Sequence, residues 1–418
     1  MKPLLIRDIG ILAALHPEGT NVLRGRQMAE LPILHNAWLL CVDGLIQDFG
    51  SMHQLPDTLP EDTAVFSAAG GAVFPSWCDS HSHIVYAASR EEEFVLKIKG
   101  ESYETIAASG GGILNSAAKM QEATASELYD SAYARMQDMI HQGTGALEIK
   151  SGYGLTLESE LKMLRVIKKL KEAAPIPIKA TLLAAHAYPV KYKEDHEGYI
   201  RLIIDELLPA VHREGLADYF DVFCEKGFFS VEETDRLLQA AANYELKPKV
   251  HANQLSVSGA VEVSLKHQAV SVDHLEATDA HVIQNMSSRA TIATLLPSCS
   301  LFLRIPYANA RGLMDADIPV ALASDYNPGS TPSGNMNLVL SLACINLRML
   351  PEEAINAATL NGAAAMELGD QLGSITRGKK ANFFITRPIP SVAFLPYSFG
   401  QSQIEQIILN GALYDGRI

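Results

Sequence analysis

Asp79-Ser80-His81-Ser82-His83, reached through the apolar run Ala72-Val73-Phe74-Pro75 and followed by Ile84-Val85-Tyr86, decides how the chain folds. In an extended strand, side chains two apart share a face, so His81 and His83 can offer two imidazoles to one metal ion without bending the backbone. Thirteen histidines are scattered through the chain, and H-x-H alone is more often a polar strand edge than a ligand pair. Further ligands at the ends of other strands decide between the two.

Working outward from this stretch, eight apolar, β-rich runs recur: Ala72 to His81, Ala146 to Lys150, Ile178 to His186, Tyr219 to Cys224, Lys247 to His251, Ala269 to His274, Thr291 to Pro297 and Val320 to Asp325. Amphipathic helical patterns separate most of them, such as Leu157 to Ala173 with Leu161, Leu164, Ile167 and Leu170 on one face, and Val231 to Asn243. Runs that are continuous rather than alternating fit parallel strands buried on both faces, and the alternation predicts an α/β fold, a TIM-like (β/α)8 barrel. Chemistry in such a barrel sits at the carboxyl ends of the strands. Those ends carry His81 and His83, Lys150, His186, His251, His274 and Asp325, the outline of a metal site. Any one of them alone reads as an ordinary polar strand end or turn residue; together at one rim they do not. The remaining histidines have no such context and are assigned no role.

Outside the barrel, Trp38 to Val42 and Leu45 to Phe49 flank Asp43-Gly44, and Ile404 to Leu409 meets Asn410-Gly411, both hairpin signals. Neither end can close a core alone. Residues 1–70 and 370–418 are therefore expected to form one small β-sandwich domain, with residues 71–369 as the barrel.

The chain has 418 residues, 48% hydrophobic and 20% charged, as in an ordinary globular protein. A formal net charge of -14 argues against nucleic-acid and anionic-membrane partners, which require basic surfaces. Cys41, Cys78, Cys224, Cys299 and Cys344 are odd in number and widely spaced, which fits free thiols in a reducing compartment. With no signal-peptide core near Met1 and no apolar run of membrane-spanning length, a cytoplasmic location is expected.

The segments DSHSH with SREEEF, SGGGI at 109–113, EIKSGYGL at 148–155, LLAAHAYP at 182–189, DVFCEKGFF at 221–229, VHANQLSVSGA at 250–260, VDHLE at 272–276 and ASDYNPGS at 323–330 carry a specific resemblance. Over nearly its whole length the chain resembles the metal-dependent amidohydrolases and, within them, the imidazolonepropionase family. The resemblance implies hydrolysis of a cyclic amide, 4-imidazolone-5-propanoate plus water giving N-formimidoyl-glutamate, in histidine degradation. Position by position it places metal ligands at His81, His83, His251 and Asp325, holding one divalent ion per chain. Zinc or iron suits three nitrogens and a carboxylate, and manganese is also compatible.

The same resemblance implies that His274 holds the attacking water or the developing oxyanion and that Asp325 relays a proton to the leaving nitrogen. Gln254 falls where family members carry glutamate or glutamine; as an amide it can orient substrate or water but cannot act as a base. Arg90 matches the arginine that grips the substrate carboxylate, although without the resemblance it would read as a surface residue paired with Glu91 to Glu93. Tyr153, His186, Asn327, Gly329 and Ser330 match further substrate contacts. Lys150 matches no ligand of the family; it is expected to pair with a nearby acid or support the Tyr153 loop, not to bridge two metals as a carbamate. The sequence departs from the family pattern at Ser76, Ser82, Ala88-Ser89 and, most, across 298–311, a loop expected to border the mouth.

A small-molecule substrate and a homodimer are expected. Two other readings compete: a deaminase of the same superfamily acting on a heterocyclic amine, which would release ammonia, and a non-catalytic amidohydrolase-like scaffold. EIKSGYG and Arg90 weigh against the first, and four intact ligands against the second.

Overall fold

A computed structural model describes residues 2–100 and 112–416. Its centre is a sheet of eight parallel strands in sequence order: Trp77–Asp79, Thr144–Lys150, Ile178–Ala185, Tyr219–Cys224, Lys247–Ala252, Ser271–His274, Ile292–Leu295 and Val320–Leu322. Past the last strand the sheet closes. Ser82 bridges Tyr326 in parallel, the Asp325 amide donates to the His81 carbonyl at 3.0 Å, and the His83 amide donates to Tyr326 at 2.8 Å. Closure removes the exposed edges and brings the two ends of the sequence pattern, DSHSH and SDYNPG, side by side.

One strand differs from expectation. The run 72–81 is not a single barrel strand but two, divided at Ser76. The Ser76 amide donates to Asn382 while the Trp77 amide donates to Gly143, so consecutive backbone donors serve different sheets. Ala72–Pro75 belongs to a second, mixed eight-stranded sheet with Leu4–Ala13, Ile33–Val42, Leu45–Ser51, Ala64–Ser67, Phe383–Thr386, Ile404–Leu409 and Ala412–Leu413. That sheet folds over as a sandwich: Ala381 donates to Gly44 and Ile46 to Lys379, both at 2.8 Å, enclosing Ile6, Leu12, Leu39, Ile46, Phe383 and Ile408. Both expected hairpin turns occur. Asp43-Gly44 and Asn410-Gly411 have positive φ throughout, the conformation of a tight two-residue turn.

The helices cover the barrel. Leu157–Ala173 starts at Thr156, whose hydroxyl accepts from the Ser159 amide, and ends before Pro175. It buries Leu161, Leu164, Ile167 and Leu170 against the strands, a contribution of about 1.5–3 kcal/mol per side chain. A full capping box at Ser230 and Glu233 fixes the start of Val231–Ala242. All five cysteines are free, and no helix among the described residues is long and apolar enough to cross a membrane.

Candidate active site

The histidines and the aspartate named from the strand ends lie at one rim of the barrel, with Lys150 turned into the layer beneath, and all are buried. His81 and His83 follow the first strand, flanking Ser82, whose hydroxyl donates to the Glu148 carbonyl at 2.6 Å and pins the extended segment between its neighbours. The Nε2 atoms of His81 and His83 are 3.3 Å apart, and Asp325 Oδ1 lies 3.5 and 3.6 Å from them. Ligands about 2.0–2.1 Å from a tetrahedral ion sit roughly 3.3 Å from one another, so this spacing fits one small divalent cation. His251 packs its ring 4.5 Å from that of His81, and ligand atoms of His81, His251 and His274 also converge within 4.8 Å.

Buried carboxylates set which nitrogen each histidine offers. His81 Nδ1 is 2.6 Å from Asp273 Oδ2, and His251 Nδ1 is 3.0 Å from Asp221 Oδ2. Donation there leaves both Nε2 lone pairs facing the centre, the usual arrangement behind metal-binding imidazoles. Burial, against the pull of Asp221, lowers His251 to about 4, and burial with the neighbouring His81 lowers His83 as well. Neutral imidazoles result. Burial would raise the Asp325 carboxyl, but hydrogen bonding and charge at His81, with His274 and His83, outweigh it and hold it ionised. His274 goes the other way: burial lowers it, and Glu276 more than compensates. The donor set and its charge therefore fit a divalent metal. Backbone strain gathers at the same place, with φ of +86° at His274, +64° at Leu275 and +53° at Asp325, conformations that cost non-glycine residues about 1 kcal/mol or more each.

Above the centre opens a cavity of about 320 Å³ lined by His83, Arg90, Tyr153, His186, Gln254 and His274 among others. Arg90 faces it while held from behind by Glu93, with Nε to Oε2 at 2.8 Å and Nη2 to Oε1 at 2.7 Å. Arg90 thus pairs with a neighbouring glutamate and also lines the cavity. Glu93 also accepts from Gly112 N at 2.8 Å and pairs with Lys97 at 3.0 Å, while Lys97 reaches the Gly329 carbonyl. Tyr153 is buried, which raises its phenol and keeps it protonated. Its loop turns at Gly152, φ +111°, where a Cβ would lie 2.9 Å from His186 Nδ1. His186 itself donates from Nδ1 to the Gly152 carbonyl at 3.0 Å and, lowered to about 3 chiefly by burial, is neutral. Gln254 lines the cavity with its amide nitrogen 3.5 Å from Cys299 Sγ. Asn327 spends its side chain inside its own loop, accepting from Gly329 N and Ser330 N at 2.8 Å each and donating to the Asp325 carbonyl at 2.7 Å. Ser330 Oγ donates to Asp325 Oδ2 at 3.2 Å.

Residues 72–412 match the amidohydrolase family model. The chain is 53% identical to the imidazolonepropionase of Christiangramia forsetii, over 98% of this chain and 99% of that protein. It is 52% identical to that of Flavobacterium johnsoniae over the same shares. The chain belongs to the imidazolonepropionase family of amidohydrolases. Solved structures share the fold at far lower identity: the E. coli guanine deaminase superposes with a TM-score of 0.75 at 15% identity, covering 100% of both chains. A zinc-bound adenosine deaminase from Xanthomonas campestris gives 0.66 at 16%, covering 98% of this chain and 92% of that one. Family membership and the buried His/Asp cluster together support a metal cofactor.

Several residues of this imidazolonepropionase-family site are not assigned a role by the sequence alone. Asp221 and Asp273 lie inside quoted motifs, yet only the fold shows them behind His251 and His81. Glu148 and Lys249 do leave a signal. Each stands two residues before a strand-end residue, Lys150 and His251, and the two-residue strand period puts them on the same inward face one layer down. Glu160 leaves none: its carboxylate accepts from Gly154 N at 2.7 Å, Leu155 N at 3.0 Å and Gly152 N at 3.3 Å, anchoring the Tyr153 loop. Lys150 pairs with acids, as expected, and its Nζ is enclosed by three carboxylates. Burial opposes its charge, but Asp221, Glu148 and Asp273 raise it, so the ammonium persists. Of the SGGGI segment, residues 109–111 lie outside the described residues.

Proposed function

We propose that this chain hydrolyses the cyclic amide of 4-imidazolone-5-propanoate to N-formimidoyl-L-glutamate, with His81, His83, His251 and Asp325 holding one zinc or iron(II) ion. The observation that carries the site is the convergence of two imidazole nitrogens and one carboxylate oxygen at 3.3–3.6 Å, with His251 beside them. The substrate class is supported by the relatives at 52–53% identity over almost the full chain. A divalent ion held there would lower the pKa of a bound water to about 7 and so would supply a nucleophile at neutral pH.

Each step at the substrate then falls to a residue. Arg90, kept in plane by Glu93, grips the propionate carboxylate. Tyr153 and His186 wall the ring, and the Asn327–Ser330 loop borders it with Gly329 packed close against the Arg90 guanidinium. Gln254 orients the ring by hydrogen bonding. His274, steadied by Glu276, donates to the ring carbonyl oxygen as negative charge develops on it. Asp325 takes the proton that the water loses as its oxygen bonds to the carbonyl carbon. It then gives that proton to the ring nitrogen as the C–N bond breaks, so the ring opens and no ammonia leaves.

Apo protein titrated with zinc or iron(II) tests the assignment. Activity should rise to a plateau at one ion per chain, and His251→Ala should lose both tight metal binding and turnover. Full activity in His251→Ala would remove this residue from the site.

A further inference from the structure

The layer of the barrel interior beneath the site is ionic. Lys150 from the second strand, Asp221 from the fourth and Asp273 from the sixth meet near the axis, as inward side chains of alternate strands do. Lys150 Nζ lies 2.8 Å from Asp221 Oδ2, 3.4 Å from Asp273 Oδ2 and 2.7 Å from Glu148 Oε1, all wholly buried. The oxygens are shared. Asp221 Oδ2 also takes His251 Nδ1 at 3.0 Å, and Asp273 Oδ2 also takes His81 Nδ1 at 2.6 Å. A second buried lysine, Lys249, ion-pairs with Glu148 and otherwise meets the carbonyls of Ser80 and Ala365.

We propose that Lys150 is a positioning residue for the metal centre: one ammonium holds both carboxylates that orient His81 and His251. The proposal rests on the metal reading above. His81 and His251 come from different strands, and Lys150 is the common point to which both are tied, through one carboxylate oxygen each. Without it, two buried carboxylates would face each other unscreened and each would turn away, carrying its imidazole off the shared centre. Lys249 is equally buried and equally charged but stands one contact further back.

Charge and position predict opposite signs, which makes the idea testable. Lys150 and Lys249 face Glu148, Asp221 and Asp273, while Asp325 stands against His81 at the centre; two ammonium groups meet four carboxylates, an excess that a divalent cation would balance. If Lys150 acted only as a charge, its loss would leave more negative charge around the ion and tighten binding. If it acts by position, its loss loosens binding.

Zinc affinity by chelator competition, and the visible absorption of the cobalt(II)-loaded protein, are to be measured for wild type, Lys150→Met and Lys249→Met. Circular dichroism and the unfolding midpoint of each apo form establish that it is folded. Lys150→Met should bind zinc about 10–100-fold more weakly, the usual loss when a partner behind a ligand is removed, with a weakened and shifted cobalt spectrum. Lys249→Met should bind at least as tightly as wild type. If Lys150→Met does not fold, Lys150→Gln, which can still donate to one carboxylate, carries the same comparison. Zinc binding by the folded Lys150 variant as tight as wild type, or equal loosening in Lys249→Met, overturns the proposal. Failure of wild type itself to bind one ion would instead overturn the metal reading.

Discussion

Replacing Arg90 with methionine should cost this enzyme substrate affinity far more than turnover. The Arg90 side chain is only 11% exposed, and its Nε and Nη2 are already taken by Glu93, leaving the two Nη1 hydrogens for the substrate carboxylate. Two charge-assisted hydrogen bonds at about 1.5–3 kcal/mol each, partly offset by desolvation, give roughly 3–4 kcal/mol. At 1.4 kcal/mol per factor of ten, kcat/KM should fall about 10²–10³-fold, nearly all of it in KM. Glu93 keeps Lys97 and the Gly112 amide, so the fold should survive. Steady-state loss of ring absorbance, with metal content measured on the same samples, reads the effect. Lys at this position should recover about a tenfold share of the loss, because charge returns without the planar fork. A KM for the methionine variant within about threefold of wild type would refute the carboxylate assignment.

Gly329→Ala should mimic that loss in milder form. A Cβ there runs into the Arg90 guanidinium, so KM should rise about tenfold while the unfolding midpoint hardly moves. Glu160→Ala strands the buried amides of Gly152, Gly154 and Leu155 and should lower stability by about 3 kcal/mol in urea titration. His16 supplies a pH dependence away from the site: burial lowers it below 6.5, and its Nε2 donates to Asn356 Oδ1 at 2.9 Å. The unfolded chain takes up a proton near 6.5 that the folded chain refuses, so this contribution is complete above pH 6.5 and shrinks as pH falls below it. His16→Asn should be less stable at pH 7.5 and lose less on going to pH 5.5, measured by unfolding midpoints. Prolonged chelation should abolish turnover, and stoichiometric zinc or iron(II) should restore it.

Much of the fold is legible in the chain because its signals are local. Tyr219–Cys224, Leu157–Ala173 and Ile404–Leu409 fall where apolar continuity, helical periodicity and turn residues put them. Those signals are written into consecutive residues. The division at Ser76 is not legible, because both halves of 72–81 are apolar and extended, and only the partners Asn382 and Gly143 decide which sheet each joins. The candidate ligands can be placed because strand ends converge in any such barrel. The carboxylates behind them cannot, because Asp221 and Asp273 look like other buried polar residues until His251, His81 and Lys150 surround them. Asn327 shows the reverse: a motif position that matches a substrate contact turns its amide into its own loop.

Product analysis of 4-imidazolone-5-propanoate incubated with the metal-loaded protein tests the central claim most directly. One N-formimidoyl-glutamate should form for each substrate consumed, with no ammonia released. Ammonia in step with substrate loss, or an untouched substrate at full metal occupancy, would contradict it.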